Sequence, residues 1–180
     1  MYRRNNPTTL VDENGREIKL HTAHKYYQAH GQTAAAAIQN TQKVSGLRDN
    51  AGHPMIGNTH VKMGVSIKTA TVETKTAEGG TGASANATVK TADVNLNVAT
   101  TLPQWAEHNS TSPEEQKQWD DSLAKLKSHE DEHSKIALEG AHDLDKSLPS
   151  TSGSGTGGTE SEAANAAVND MAHYGAPCRQ

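Results

Sequence analysis

The stretch SPEEQKQWDDSLAKLKSHEDEHSKIALEGAHDL, residues 112–144, decides the fold. Its opening Ser112-Pro113-Glu114-Glu115 is a helix start. A Ser hydroxyl caps exposed backbone N–H groups, Pro fits the first helical position, and a Glu three residues after the cap reaches back to complete a capping box. From Trp119 the inward positions run through Leu123, Leu126, Glu130, His133, Ala137, Ala141, Leu144 and Leu148. Alternating steps of four and three make one apolar stripe of an amphipathic helix. Gly140 is a place where that helix bends or ends, and Pro149 stops it. Glu130 and His133 interrupt the stripe, and burying them unpaired would cost several kcal/mol, on the order of 2–7. A bound cation is one way to offset that cost.

His129 and His133 stand at i and i+4, so both imidazoles project from one side of a helix. That spacing lets two ring nitrogens reach one zinc ion, with Glu130 directly after the first ligand. This is the HExxH arrangement of zinc metallopeptidases. Glu130 is then the general base: it takes a proton from water held at the ion and passes it to the leaving amine. The bland alternative is a charged helix face on which His and Glu fall in register by chance.

A third protein ligand is required. The HExxHxxGxxH spacing would place a His six residues after His133, where Glu139 stands. A glutamate ligand on a following helix fares no better, because the position between Asn165 and Ala167 in ESEAANAAVND is Ala166. His173 is the favoured candidate, with His142, Glu162 and Asp170 as alternatives. His142 enters only if the helix breaks at Gly140. The other histidines, at 21, 24, 30, 53, 60 and 108, lack metal-like spacing and read as surface or loop residues. Asp131, Glu132 and Glu139 read as the solvated side of the helix, and Asp143 and Asp145 as surface.

Upstream, Val61, Met63, Val65 and Ile67 alternate with polar residues, as do Val94, Leu96 and Val98. Period two predicts strands with one wet face. The intervening AEGGTGASANA reads as a Gly-rich turn, giving an antiparallel hairpin or small sheet over 60–101 that Pro103 ends. Trp105 and Trp119 are core anchors between sheet and helix. Residues 8–20 suggest a hairpin turning at Asn14-Gly15. Residues 21–44 carry helix-forming material, TAAAAIQNTQKV, that Gly31 interrupts, and 45–57 reads as loop. Downstream, STSGSGTGG reads as a flexible linker, and Thr159 with Glu162 caps a second short helix.

The chain has 180 residues, which suggests one domain with tails. Only 33% of residues are hydrophobic and there is no Phe, so the core is modest. A net charge of -4 with no Lys/Arg cluster excludes nucleic acid and an anionic membrane as partners. The single Cys178 excludes an internal disulfide framework. Arg3 and Arg4 are followed by no apolar run of the kind a signal peptide needs.

The segment VNLNVATTLPQWAEHN, followed by WDDSLAKLKSHEDEHSKIALEGAHDL, resembles the bacterial domain-of-unknown-function 922 family, described as secreted zinc-dependent proteases. The features that carry it are a strand running into LPQW, the Trp119 ahead of the motif, Leu126, and HEDEH leading into IALEGA. The resemblance implies export and a His-Gly pair after the helix, near which His173-Tyr174-Gly175 falls with Tyr174 intervening.

The expectation is therefore an α+β fold, zincin-like, with a small antiparallel sheet packed on a long active-site helix over 58–148. An extension over 1–57 and a linker, helix and tail over 149–180 flank it. The expected activity is zinc-dependent hydrolysis of peptide bonds in a peptide or protein substrate. His129, His133 and His173 are the metal ligands and Glu130 the base. The competing readings are a non-catalytic partner-binding or structural protein, and a metal-dependent amidase acting on cell-wall peptide.

Overall fold

The computed structural model describes the backbone of residues 3–4, 8–11 and 17–174, and the side chains of residues 17–171. The chain is α+β, and the described residues form a six-stranded sheet and three α-helices. The strands are β1 (Arg3–Arg4), β2 (Thr8–Val11), β3 (Glu17–Ala29), β4 (Asn58–Thr76), β5 (Ala83–Trp105) and β6 (Ser152–Gly157). The helices are α1 (Ala34–Val44), α2 (Pro113–Ser147) and α3 (Glu160–Tyr174). The main path of the sheet is β1-β3-β5-β4, with β2 pairing β3 and β6 pairing β5.

The sheet is mixed, not purely antiparallel as the hairpin pattern suggested. Side-chain pairs Lys19–Asp93 and Gln28–Gln104 advance in the same direction along β3 and β5, so those two strands run parallel. Parallel neighbours need a long crossover, and α1 with β4 supplies it. The β3–β5 pairing had no local signature to read, whereas the β4–β5 hairpin had one. Its turn is shorter than expected: residues 77–82 form it, with Gly79, Gly80 and Gly82 at φ 97°, 76° and 112°. Residues 83–87 already belong to β5. Pro103 does not end β5, which continues to Trp105, since an extended strand tolerates proline's fixed φ. In the N-terminal hairpin Val11 pairs with Glu17, and the Asn14-Gly15 turn itself lies outside the described residues. Of residues 21–44, the first part is strand β3 and only 34–44 is helix.

The chain divides into two compact units. The first comprises Met1–Asn6, His21–Val61 and Asn97–Ala137. Its core gathers Ala29, Ala34, Ala37, Trp105 and Trp119, with Ile38 against them. The two indoles meet at 5.7 Å between ring centroids, and Trp105 Nε1 donates to the Gly31 carbonyl at 2.8 Å. The tryptophans are thus anchors between sheet and helix, as expected. Thr33 caps α1 through its hydroxyl to Ala36 N. Ser112 caps α2 through Glu115 N. The expected capping box is only half made, because the Glu115 carboxylate accepts instead from Ala34 N, in the first turn of α1.

The second unit comprises Pro7–Leu20, Lys62–Leu96 and Leu138–Gln180. The segment read as a flexible linker is strand β6, antiparallel to the start of β5 in the register Ala83↔Gly157, Ala85↔Gly155 and Ala87↔Gly153. Composition hid it, because Ser and Gly in alternation look like linker. Here each Gly marks a close approach to α3. A Cβ at Gly153 would lie 2.3 Å from the Ala167 carbonyl oxygen, and one at Gly155 would lie 2.3 Å from Ala167 N. Ala163, Ala167 and Met171 are buried along the facing stripe of the helix. Thr159 and Glu162 form the anticipated reciprocal cap, each side chain accepting from the other's backbone N–H at 3.2 Å. On β5 the buried phase slips by one residue between Val89 and Ala92, which an extra residue in one strand produces.

Candidate metal centre

Helix α2 runs unbroken through Gly140. Its burial follows the expected stripe with two changes. Trp119, Glu130, Ala141 and Leu148 are buried, while Leu123, Leu126, Ala137 and Leu144 are half-buried. His133, expected inward, is exposed, and the half-buried position in that turn is Ser134. A step of four from Glu130 falls on Ser134, so the stripe turns past His133. Asp145, read as surface, is buried at 3% because it continues the stripe one turn after Ala141. Asp131, Glu132 and Glu139 are exposed as expected, and Asp131 pairs with Lys127 one turn back.

His129 and His133 are both exposed, and their rings meet edge to face with centroids 4.7 Å apart. Their Nε2 atoms are 3.2 Å apart. Two nitrogens bound at about 2.0–2.1 Å to one tetrahedral zinc stand about 3.3 Å apart. The pair therefore has the spacing of two ligands to one ion. It is also within hydrogen-bond reach of itself. Among the described residues no third His, Cys, Asp or Glu joins them.

Each third-ligand candidate has its own position. His173 falls near the end of α3, and its side chain lies outside the described residues. The Glu162 carboxylate is engaged at the start of α3, accepting from Gly158 N at 2.9 Å and Thr159 N at 3.2 Å. Asp170 accepts from Ser154 N at 3.0 Å. His142 depended on a break at Gly140 that does not occur.

Glu130 is the opposite of its neighbours: the residue is 3% exposed, and Oε2 is buried with no hydrogen-bond partner among the described residues. The space around it is set by the segment entering β4. A Cβ at Gly57 would stand 2.7 Å from Glu130 Oε1 and 2.8 Å from Leu126 Cδ1. Thr59 Oγ1 donates to the Glu130 carbonyl at 3.2 Å, and so does Ser134 Oγ at 3.2 Å. Tyr27 Oη donates to the carbonyl of Ile56, next to Gly57, at 2.7 Å. Burial pushes the Tyr27 phenol up to about 12, which keeps it a donor. Nothing in the sequence connected Gly57 or Thr59 with Glu130, because their closeness arises from tertiary packing.

Of the remaining histidines, His21, His24 and His60 lie on strands β3 and β4, not in loops, and His24 Nδ1 is buried with no hydrogen-bond partner among the described residues. His30 Nδ1 meets Glu107, His53 Nδ1 meets Asp49, and His108 Nε2 meets Asp120, at 3.0, 2.9 and 3.0 Å. Those contacts with His30 and His53 hold the carboxyls of Glu107 and Asp49 below their usual range. Among the described residues no helix is long and apolar enough to cross a membrane.

The family model of bacterial proteins of unknown function DUF922 matches residues 24–176. No match is found among curated proteins or among solved structures. The matched span runs from within β3 through α3 and takes in most of the chain, including the paired imidazoles, the buried Glu130 and the Gly57 loop, so the chain belongs to the bacterial DUF922 family.

Proposed function

We propose that this chain is a zinc-dependent metallopeptidase of zincin-like design, hydrolysing peptide bonds in a peptide or protein substrate. His129 and His133 would hold the ion, His173 would complete the protein's ligand set, and Glu130 would be the general base. The observation that carries the reading is the 3.2 Å between the two Nε2 atoms, on a helix whose next residue after His129 is a buried glutamate.

A bound zinc supplies Lewis acidity toward water and toward the carbonyl of the scissile bond. The chain's own groups do the rest. The exposed imidazoles leave their ring nitrogens open to a ligand and to an incoming peptide. Glu130, shielded from bulk water and with one oxygen lacking a partner, takes a proton from water and hands it to the departing nitrogen.

The test is metal content together with hydrolysis. The purified chain should contain about one zinc per molecule and cleave casein, and chelation should stop cleavage. Glu130→Gln should keep the zinc and lose turnover. A zinc-free preparation whose stability ignores chelator would replace this reading with a partner-binding protein. Cleavage of peptidoglycan fragments with none of casein would make it a cell-wall amidase.

A further inference from the structure

Several glycines in this chain are crowded, and what crowds them differs. A Cβ at Gly31 would meet Ala37 N at 2.4 Å, and the nearest contacts at Gly153 and Gly155 are likewise backbone atoms of α3. Those glycines permit two backbones to approach. At Gly57 the near atoms are side-chain ends, Oε1 of Glu130 at 2.7 Å and Cδ1 of Leu126 at 2.8 Å. Gly57 is itself buried. The volume a methyl group would fill there is the volume the Glu130 carboxylate uses.

We infer that Gly57 is a positioning residue for Glu130, and that the segment 56–59 is the cradle that sets where this carboxylate sits. Three contacts fix the cradle. Tyr27 holds the Ile56 carbonyl, Gly57 leaves room for Oε1, and Thr59 ties the Glu130 carbonyl. Thr59 Oγ1 is also 3.3 Å from Thr100 Oγ1 on β5, which links the cradle to the sheet. None of these contacts involves an imidazole of His129 or His133. The inference rests on the proposed peptidase reading for its catalytic consequence, and on geometry alone for the contact.

The consequence separates positioning from structural support. A methyl at a backbone-crowded glycine must move a helix or strand. A methyl at Gly57 moves side-chain ends, so the fold should give way cheaply while the carboxylate is displaced. Gly57→Ala should therefore retain zinc and unfold within a few degrees of the parent. Its kcat should fall on the order of 10- to 100-fold, a share of what a positioned general base contributes. KM for the same casein-derived peptide should change less than about twofold, because the displaced group acts on water and not on substrate binding.

The variants to compare are the parent, Gly57→Ala, Leu126→Ala, and Gly57→Ala with Leu126→Ala. Room made at Leu126 relieves one of the two contacts. If the kcat loss persists in the double variant, the carboxylate is the displaced group. Full recovery there, or unchanged kcat in Gly57→Ala, overturns the inference. If the parent binds no zinc or cleaves nothing, the proposed function fails by itself, and thermal unfolding still judges the contact. Gly57→Ala should cost less in a Glu130→Ala background than in the parent, and strictly additive shifts would overturn it.

Discussion

Glu115, in the first turn of α2, hydrogen-bonds through its carboxylate to the backbone N–H of Ala34, in the first turn of α1. One side chain therefore stands beside the N-termini of two helices, each of which carries a partial positive charge. Ser112 caps α2 without it. Glu115→Ala should therefore loosen α1, at a cost of about 1 kcal/mol, typical of a lost cap. Amide exchange should accelerate across 34–37 and leave the start of α2 little changed. Equal acceleration in both helices would mean that the carboxylate serves α2 after all.

The glycines of β6 predict a sharper loss. Gly155→Ala drives a Cβ toward Ala167 N and the Ala163 carbonyl, at 2.3 and 2.4 Å. Neither atom can move without α3, so the expected cost is about 1–3 kcal/mol, as for overpacking. Gly158→Ala is the control, since its one near atom is Oε2 of Glu162 at 3.2 Å. Thermal midpoints should drop for the first and scarcely move for the second. Comparable drops would show that α3 docking does not depend on bare backbone in β6.

Asp93 predicts part of the acid limb of the stability curve. Hydrogen bonds from Lys19 first, and also from Lys68, hold its carboxyl below the usual carboxylate range, with the lysines at 2.7 and 3.2 Å. A depressed carboxylate stabilises the fold above its unfolded pKa, about 3.9. That contribution disappears as pH falls through the still lower folded value. Asp93→Asn should therefore be less stable than the parent at pH 7, and the two should converge as the pH falls through that lowered folded value. Urea unfolding at a series of pH values reads this directly, and a gap that persists in strong acid would assign the effect to packing.

The imidazole pair predicts a ligand effect on stability. Zinc at about 100 times its dissociation constant should raise stability by about 2.7 kcal/mol. For a chain of this size that is a rise of roughly 5–10 °C in midpoint. His133→Ala should abolish the rise while leaving the metal-free midpoint close to the parent, since His133 is exposed. A rise that survives the substitution would place the ion elsewhere.

The sequence was most legible where a signal is local. The Ser112-Pro113 start, the Thr159–Glu162 cap and the buried phase of Val94, Leu96 and Val98 each depend on residues within a turn or a strand. It was least legible where identity and environment diverge. β3 is rich in His, Lys and Tyr and has no clean alternation, and its place between β1 and β5 comes from distant partners. β6 looks like a linker because the feature that packs it is the absence of side chains. His133 was assigned inward on a step of three, whereas the helix turned its inward face to Ser134. The pairing of His129 with His133 was legible from spacing alone, but the cradle around Glu130 was not, since residues 56–59 and 130 are joined only by folding.

β4 ends the main path of the sheet, and among the described strands it pairs with β5. All 19 of its residues are exposed or half-buried. A long bare edge of this kind is a template on which a second chain can stack. Lys62, Lys68 and Lys75 recur along it, and a copy laid alongside would bring its own ammonium groups into the same narrow space. Replacing Lys62 and Lys75 by Thr should therefore favour self-association, whereas the same change at Lys68 also removes its ion pair with Asp93.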